Sequence, residues 1–117
     1  MRGAVLVLLA GCGSVNLTGS WSGECQFEDY DMAIDLELAQ EDDALSGDAD
    51  ADFSWQGYDF VFSGTATGTV VDDAVDLTLE LGDGGTIEIS ADVASGSRIE
   101  GECSGDGGIH GGGWLER

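Results

Sequence analysis

The chain contains no proline and no lysine, and its basic residues are only three, Arg2, Arg98 and Arg117, against 24 Asp and Glu in 117 residues. A formal net charge of -21 repels phosphate backbones and anionic lipid headgroups, which excludes nucleic-acid binding and leaves basic proteins as the electrostatically favoured partners. Histidine occurs once, at His110 among glycines, and no acid sits at a spacing that makes it the base of a catalytic pair. No nucleophile elbow surrounds any serine. The three cysteines, Cys12, Cys25 and Cys103, form no Cys-x-x-Cys or Cys/His cluster, so a zinc site is not expected. No apolar run approaches the roughly 20 residues that a membrane-spanning helix needs. These gaps point away from an enzyme, a metalloprotein and a transmembrane helix, and no cofactor is implied.

Disorder is excluded as well, because 42% of the residues are hydrophobic. The length suits one domain with a modest core. With 20 glycines and no proline, the composition favours short strands and tight turns over helices. The dominant pattern has period two. Met32, Ile34, Leu36 and Leu38 alternate with Asp35 and Glu37. Leu45, Gly47, Ala49, Ala51 and Phe53 alternate with Asp48, Asp50 and Asp52. The same alternation runs through Val75–Leu81 and Ile87–Val93. One face is apolar and the other acidic, as an antiparallel sheet with one wet face requires. Residues 28–45 include helix formers, but their apolar positions step by two.

Turn signals at Glu41-Asp42-Asp43, Asp72-Asp73, Gly82-Asp83-Gly84-Gly85 and Ser95-Gly96-Ser97 divide the pattern. Eight strands follow, over 19–27, 32–40, 44–53, 59–71, 74–81, 86–93, 98–104 and 109–116. Short connections favour nearest-neighbour pairing, so the predicted fold is all-β, an eight-stranded antiparallel up-and-down barrel. The alternative is a two-sheet β-sandwich, which requires longer crossovers.

The stretch Leu9-Ala10-Gly11-Cys12, after the apolar run Ala4-Val5-Leu6-Val7-Leu8 and the single cation Arg2, resembles the lipobox of bacterial lipoproteins. The n-region is short and leaves room for a start codon upstream. The resemblance implies a signal peptide over 1–11 and a lipidated Cys12, with 13–18 as a tether and the barrel domain over 19–117. It implies a location in the bacterial cell envelope, anchored to the membrane through the acyl chains on Cys12, with the outer membrane favoured. Gly19-x-Trp21 in the first strand, Leu45-Ser46-Gly47 after the first hairpin, and Gly113-Trp114-Leu115-Glu116-Arg117 at the end together look like small lipocalin-like, or calycin, barrels, including avidin-type proteins. The middle lipocalin motif and the avidin ligand box have no equivalent here, so the resemblance carries the fold and no ligand.

In an even-stranded meander the first and last strands are neighbours. Arg117 is therefore expected over the Trp21 ring, where a cation–π contact closes the barrel floor; a frayed C-terminus is the competing arrangement. Cys25 and Cys103 both fall on the inward face, late in strands that run in the same direction, and export makes a disulfide between them the expectation. The intervening strand would hold them roughly 10 Å apart in a flat sheet, beyond the reach of about 7 Å that a disulfide allows. Barrel curvature, a bulge or an early departure of strand eight near Gly105-Asp106-Gly107-Gly108 has to close that distance; two separate buried thiols are the alternative.

Trp55, Tyr58, Phe60 and Phe62 gather near one mouth and are the candidate ligand-mouth residues. The small inward residues Gly47, Ala49, Ala51, Gly64 and Ala66 leave either a cavity or, more simply, a filled barrel. Asp48, Asp50 and Asp52 alternate along a strand, which spreads their carboxylates too widely for one calcium ion. Asp42 with Asp43, or Asp72 with Asp73, remains as a weak loop site. Three functions compete: a membrane-tethered module holding a small apolar ligand at its mouth, a protein-interaction lipoprotein that meets a basic partner as an inhibitor or assembly factor, and a passive acidic surface protein.

Overall fold

A computed structural model describes residues 16–117. Alternating apolar and polar residues there form eight strands: β1 (Gly19–Phe27), β2 (Asp31–Glu41), β3 (Ala44–Trp55), β4 (Tyr58–Val71), β5 (Ala74–Glu80), β6 (Thr86–Ser95), β7 (Arg98–Gly105) and β8 (His110–Glu116). They close into an antiparallel barrel in sequence order, with β8 returning to β1. Single 3₁₀ turns, Gly82–Gly84 and Asp106–Gly108, link β5 to β6 and β7 to β8. The up-and-down topology is as expected, and the sandwich is excluded. Met32, Ile34, Leu36 and Leu38 are all buried while their neighbours Ala33, Asp35, Glu37 and Ala39 face water. Among the described residues no buried side chain is polar or charged. No helix among them is long and apolar enough to cross a membrane. The outward face carries the carboxylates, the reverse of the apolar band that a transmembrane barrel presents to lipid.

Among the described residues the wall made by the small residues is packed rather than hollow. A Cβ on Gly47 would lie 1.7 Å from the Glu37 carbonyl oxygen, and one on Gly64 the same 1.7 Å from that of Glu80. Neighbouring backbones press in at these glycines, which sharpens the bend of the sheet. Ala49, Ala51 and Ala66 are fully packed. The pocket bounded by Cys25, Ile34, Ile89, Ile99, Cys103 and Leu115 measures about 10 Å³, no more than one water needs.

Cys25 and Cys103 form a disulfide with Cα atoms 5.9 Å apart. Strand β8 does not depart early to allow it. Cys25 is opposite Gly113 on β8, and Cys103 is opposite Gly111 on the same strand, so β8 stays paired on both sides. The bond instead passes over β8 inside the barrel. A Cβ on Gly113 would stand 2.6 Å from the Cys103 sulfur, so the missing side chain is what makes room, and curvature supplies the rest.

The β5–β6 register keeps most of the outward acids of these two strands apart. Asp76 faces Ser90, Glu88 faces Thr78 and Glu80 faces Thr86, so hydroxyls separate those acids. The acids that do face one another are Asp35 with Asp50, Glu37 with Asp48, and Asp92 with Glu100.

Candidate functional site: the aromatic end of the barrel

The two ends of the barrel differ in chemistry. At the end where the described chain enters, Leu17 and Trp21 are 0% and 1% exposed. The Trp21 indole Nε1 donates to the Leu17 carbonyl at 2.8 Å. The Arg117 guanidinium lies 4.7 Å from the Trp21 ring centroid and donates to the carbonyls of Gly96 and Thr18 at 2.9 and 3.1 Å. The core thus begins at Leu17, inside the stretch expected to be a tether. Nearby on the outer wall, Arg98 sits 5.2 Å from the Trp114 ring and pairs with Glu100 and Glu116. Hydrogen bonds to those two carboxylates, Glu100 first, push the Arg98 pKa upward. The sequence offered Trp114 and Arg98 as separate residues; only the β7–β8 register makes them neighbours. Cys12 lies outside the described residues.

The opposite end is an aromatic wall. β3 and β4 pair up to Trp55 and Tyr58, which makes the hairpin longer on both sides than the expected strands 44–53 and 59–71. The reason is the turn: Gln56 and Gly57 both take positive φ, 51° and 83°, which a two-residue type I′ turn requires. By parity Phe53, Trp55, Tyr58, Phe60 and Phe62 share the face that continues the barrel interior. Phe53 stacks on Tyr30, Phe60 and Phe62, with centroids 4.6, 5.1 and 6.0 Å away, and Tyr30 meets Phe27 at 5.5 Å. Phe62 is half-buried over Gly84. Trp55, Tyr58 and Val61 remain 48%, 70% and 66% exposed, and Phe60 37%. The four expected mouth residues are therefore together on one hairpin. Phe27, Tyr30 and Phe53 extend the run; of these the sequence pattern marked Phe53, and by parity Phe27, as inward strand residues, but not Tyr30. Burial first, and then the nearby Asp29 carboxylate, raise the Tyr30 pKa above the ordinary tyrosine value.

A groove of about 220 Å³ runs beside this end between Phe27–Tyr30 and Gly107–His110. His110 also borders an outer groove with Glu88, Glu102 and Ser104. Among the described residues no side-chain hydrogen bond joins His110 to an acid, and no three His, Cys, Asp or Glu side chains gather around a common point that could hold a metal ion. Asp48, Asp50 and Asp52 lie on the outer face of β3, where Asp50 accepts from Ser63 Oγ at 2.6 Å.

These features define a small lipocalin-like barrel with a filled interior, one closed end and one aromatic end. Solved structures agree on the fold. A redesigned β-barrel, mFAP1, bound to DFHBI, matches with a TM-score of 0.73 at 19% identity, over 86% of this chain and 94% of that one. A related redesigned barrel, mFAP0, also bound to DFHBI, matches with a TM-score of 0.68 at 19% identity, over 86% and 98% of the two chains. No protein-family model and no curated protein matches the chain.

Proposed function

We propose that the protein is a lipid-anchored component of the bacterial cell envelope whose barrel is a non-catalytic binding module, working through its aromatic end. The observation that carries this reading is the polarity of the barrel. Residues 16–18 enter at the closed end, beside Trp21 and Arg117, and the exposed aromatics stand at the other. Three residues, Gly13, Ser14 and Val15, lie between Cys12 and Asn16, so the reach from one Cα to the other is at most about 14 Å. Acylation at Cys12 would hold the closed end near the bilayer and turn the aromatic hairpin away from it. Two or more acyl chains anchor stably where one does not. A filled interior favours a partner that meets the hairpin from outside. A second reading, a small planar apolar ligand laid flat on the wall, is favoured by the stacked Phe53 and Phe60 rings; the redesigned barrels mentioned above bind DFHBI.

The test is intact-mass analysis and fractionation of the full chain and of Cys12→Ser. The expected result is a diacyl or triacyl mass on the cysteine, cleavage before residue 12, and release of the variant from the membrane. A variant that fractionates with the membrane as the parent does would overturn the anchor.

A further inference from the structure

We infer that the free edge of β4, residues Tyr58–Val61, accepts an extended strand from a partner protein in which basic and apolar residues alternate. This rests on reading the aromatic end as the binding surface, and names what it binds. The pairing of β4 with β5 begins only at Thr65 with Glu80, whereas β4 pairs with β3 all the way to Tyr58. Among the described residues no backbone hydrogen bond reaches residues 58–61 from the β5 side. The 3₁₀ turn at Gly82–Gly84 meets the Phe62 ring, which lies over Gly84.

The direction of the unpaired groups follows from the ladder. Val70 N–H donates to the Asp43 carbonyl on the β3 side. The β3–β4 register is unbroken from Thr69 to Tyr58, so even-numbered amides point toward β3, and those of Asp59 and Val61 point out of the sheet edge. Such an edge is a template for strand addition.

The side chains set the partner's sequence. On the inner face an added strand meets Tyr58 and Phe60, which suit apolar residues. On the outer face it meets Asp59 and Val61, with Asp52 directly across from Val61 on β3. Carboxylates there suit Lys or Arg, and opposite charges on neighbouring strands stabilise pairing while like charges oppose it. The same acids, and a chain charge of -21, disfavour a second copy in that place.

The experiment titrates the full chain in detergent with a short capped peptide of alternating lysine and valine, alongside a peptide of the same composition in two blocks. Val61→Pro removes one outward N–H at an edge position that tolerates proline, and Trp55→Ser removes an exposed ring without touching the edge. The expected result is that only the alternating peptide protects the Asp59 and Val61 amides from exchange, and that Val61→Pro weakens it by about tenfold with the Trp21 environment unchanged. Affinity lost in Trp55→Ser but kept in Val61→Pro would overturn strand addition and leave the aromatic-end reading standing. Equal binding of the block peptide, or no binding, would overturn strand addition alone, and binding that is indifferent to both variants would overturn the aromatic-end reading with it. Self-association of the free chain that Val61→Pro abolishes would assign the edge to a second copy and overturn the partner proposed here.

Discussion

The Arg117 side chain makes three contacts at the closed end: the Trp21 ring, the Thr18 carbonyl and the Gly96 carbonyl. The two hydrogen bonds tie the C-terminus both to the entering chain and to the β6–β7 turn, so the residue acts as a clasp on the floor. Arg117→Ala removes all three and is expected to destabilise the barrel by about 1–2 kcal/mol, which at this size lowers the melting temperature by roughly 4–8 °C per kcal/mol. Arg117→Lys keeps the charge but loses the planar fork and should recover only part of that. Thermal unfolding of the two variants checks this, and an unchanged Arg117→Ala would show that Leu17 and Trp21 seal the floor alone. The pairing of Trp21 with Arg117 was legible because it follows from strand count alone. The burial of Leu17 was not. A leucine flanked by Asn16 and Thr18 lies ahead of the expected first strand, and it is held by a hydrogen bond from its own N–H to Gln40 Oε1 at 2.8 Å and by one from the Trp21 indole to its carbonyl, contacts that appear only once the entering chain lies beside β2.

At the scale of strands, alternation revealed which residues face inward but not how far each strand runs. The β3–β4 hairpin shows the limit: Gln56-Gly57 is a weak turn signal in sequence, yet its positive φ values carry pairing to Trp55 and Tyr58 and create the protruding edge. The disulfide shows the strength, since parity alone put both sulfurs inside. It also shows why Gly113 on the intervening strand is a glycine, since a Cβ there would meet the Cys103 sulfur, while Gly111, opposite Cys103, is set by the close approach of the Gln26 backbone. The bond spans 78 residues, for which loop-closure entropy gives about 4–5 kcal/mol as an ideal value. Equilibrium unfolding with and without reductant should show a loss of that order, and a negligible difference would mean that the reduced chain keeps the same constraint by other contacts. Gly113→Ala should destabilise the oxidised protein by about 1–3 kcal/mol through crowding, and less once both cysteines are alanine, because the Cys103 sulfur is the nearest atom to the added methyl group, followed by the Glu24 carbonyl.

For the whole molecule the governing term is charge. The described barrel holds two cations, Arg98 and Arg117, and Arg98 is already committed to Glu100 and Glu116. The remaining acids are managed by placement. Across β1 to β4 the order is Ser22, Asp35, Asp50, Ser63, in which the outer hydroxyls each donate to a carboxylate at 2.6 Å and the two aspartates face one another. Ser20 donates to Glu37 in the same way. The hydroxyls satisfy the carboxylates but leave the Asp35–Asp50 and Glu37–Asp48 repulsions in place. Side chains directly opposite on neighbouring strands lie about 5 Å apart, inside the screening length of roughly 30 Å at 0.01 M salt and beyond the 3 Å at 1 M. The melting temperature should therefore rise between those salt concentrations. Asp50→Asn isolates the cause, because it removes one charge of a facing pair while an amide oxygen can still accept from Ser63. It should stabilise the barrel at low salt by roughly 0.2–1 kcal/mol and lose that advantage at 1 M. Asp76→Asn, whose partner is Ser90, should gain less. Unfolding measured for the parent and both variants across that salt range decides the matter: parallel, flat curves would mean that solvation, not cross-strand repulsion, sets the stability of this acidic wall.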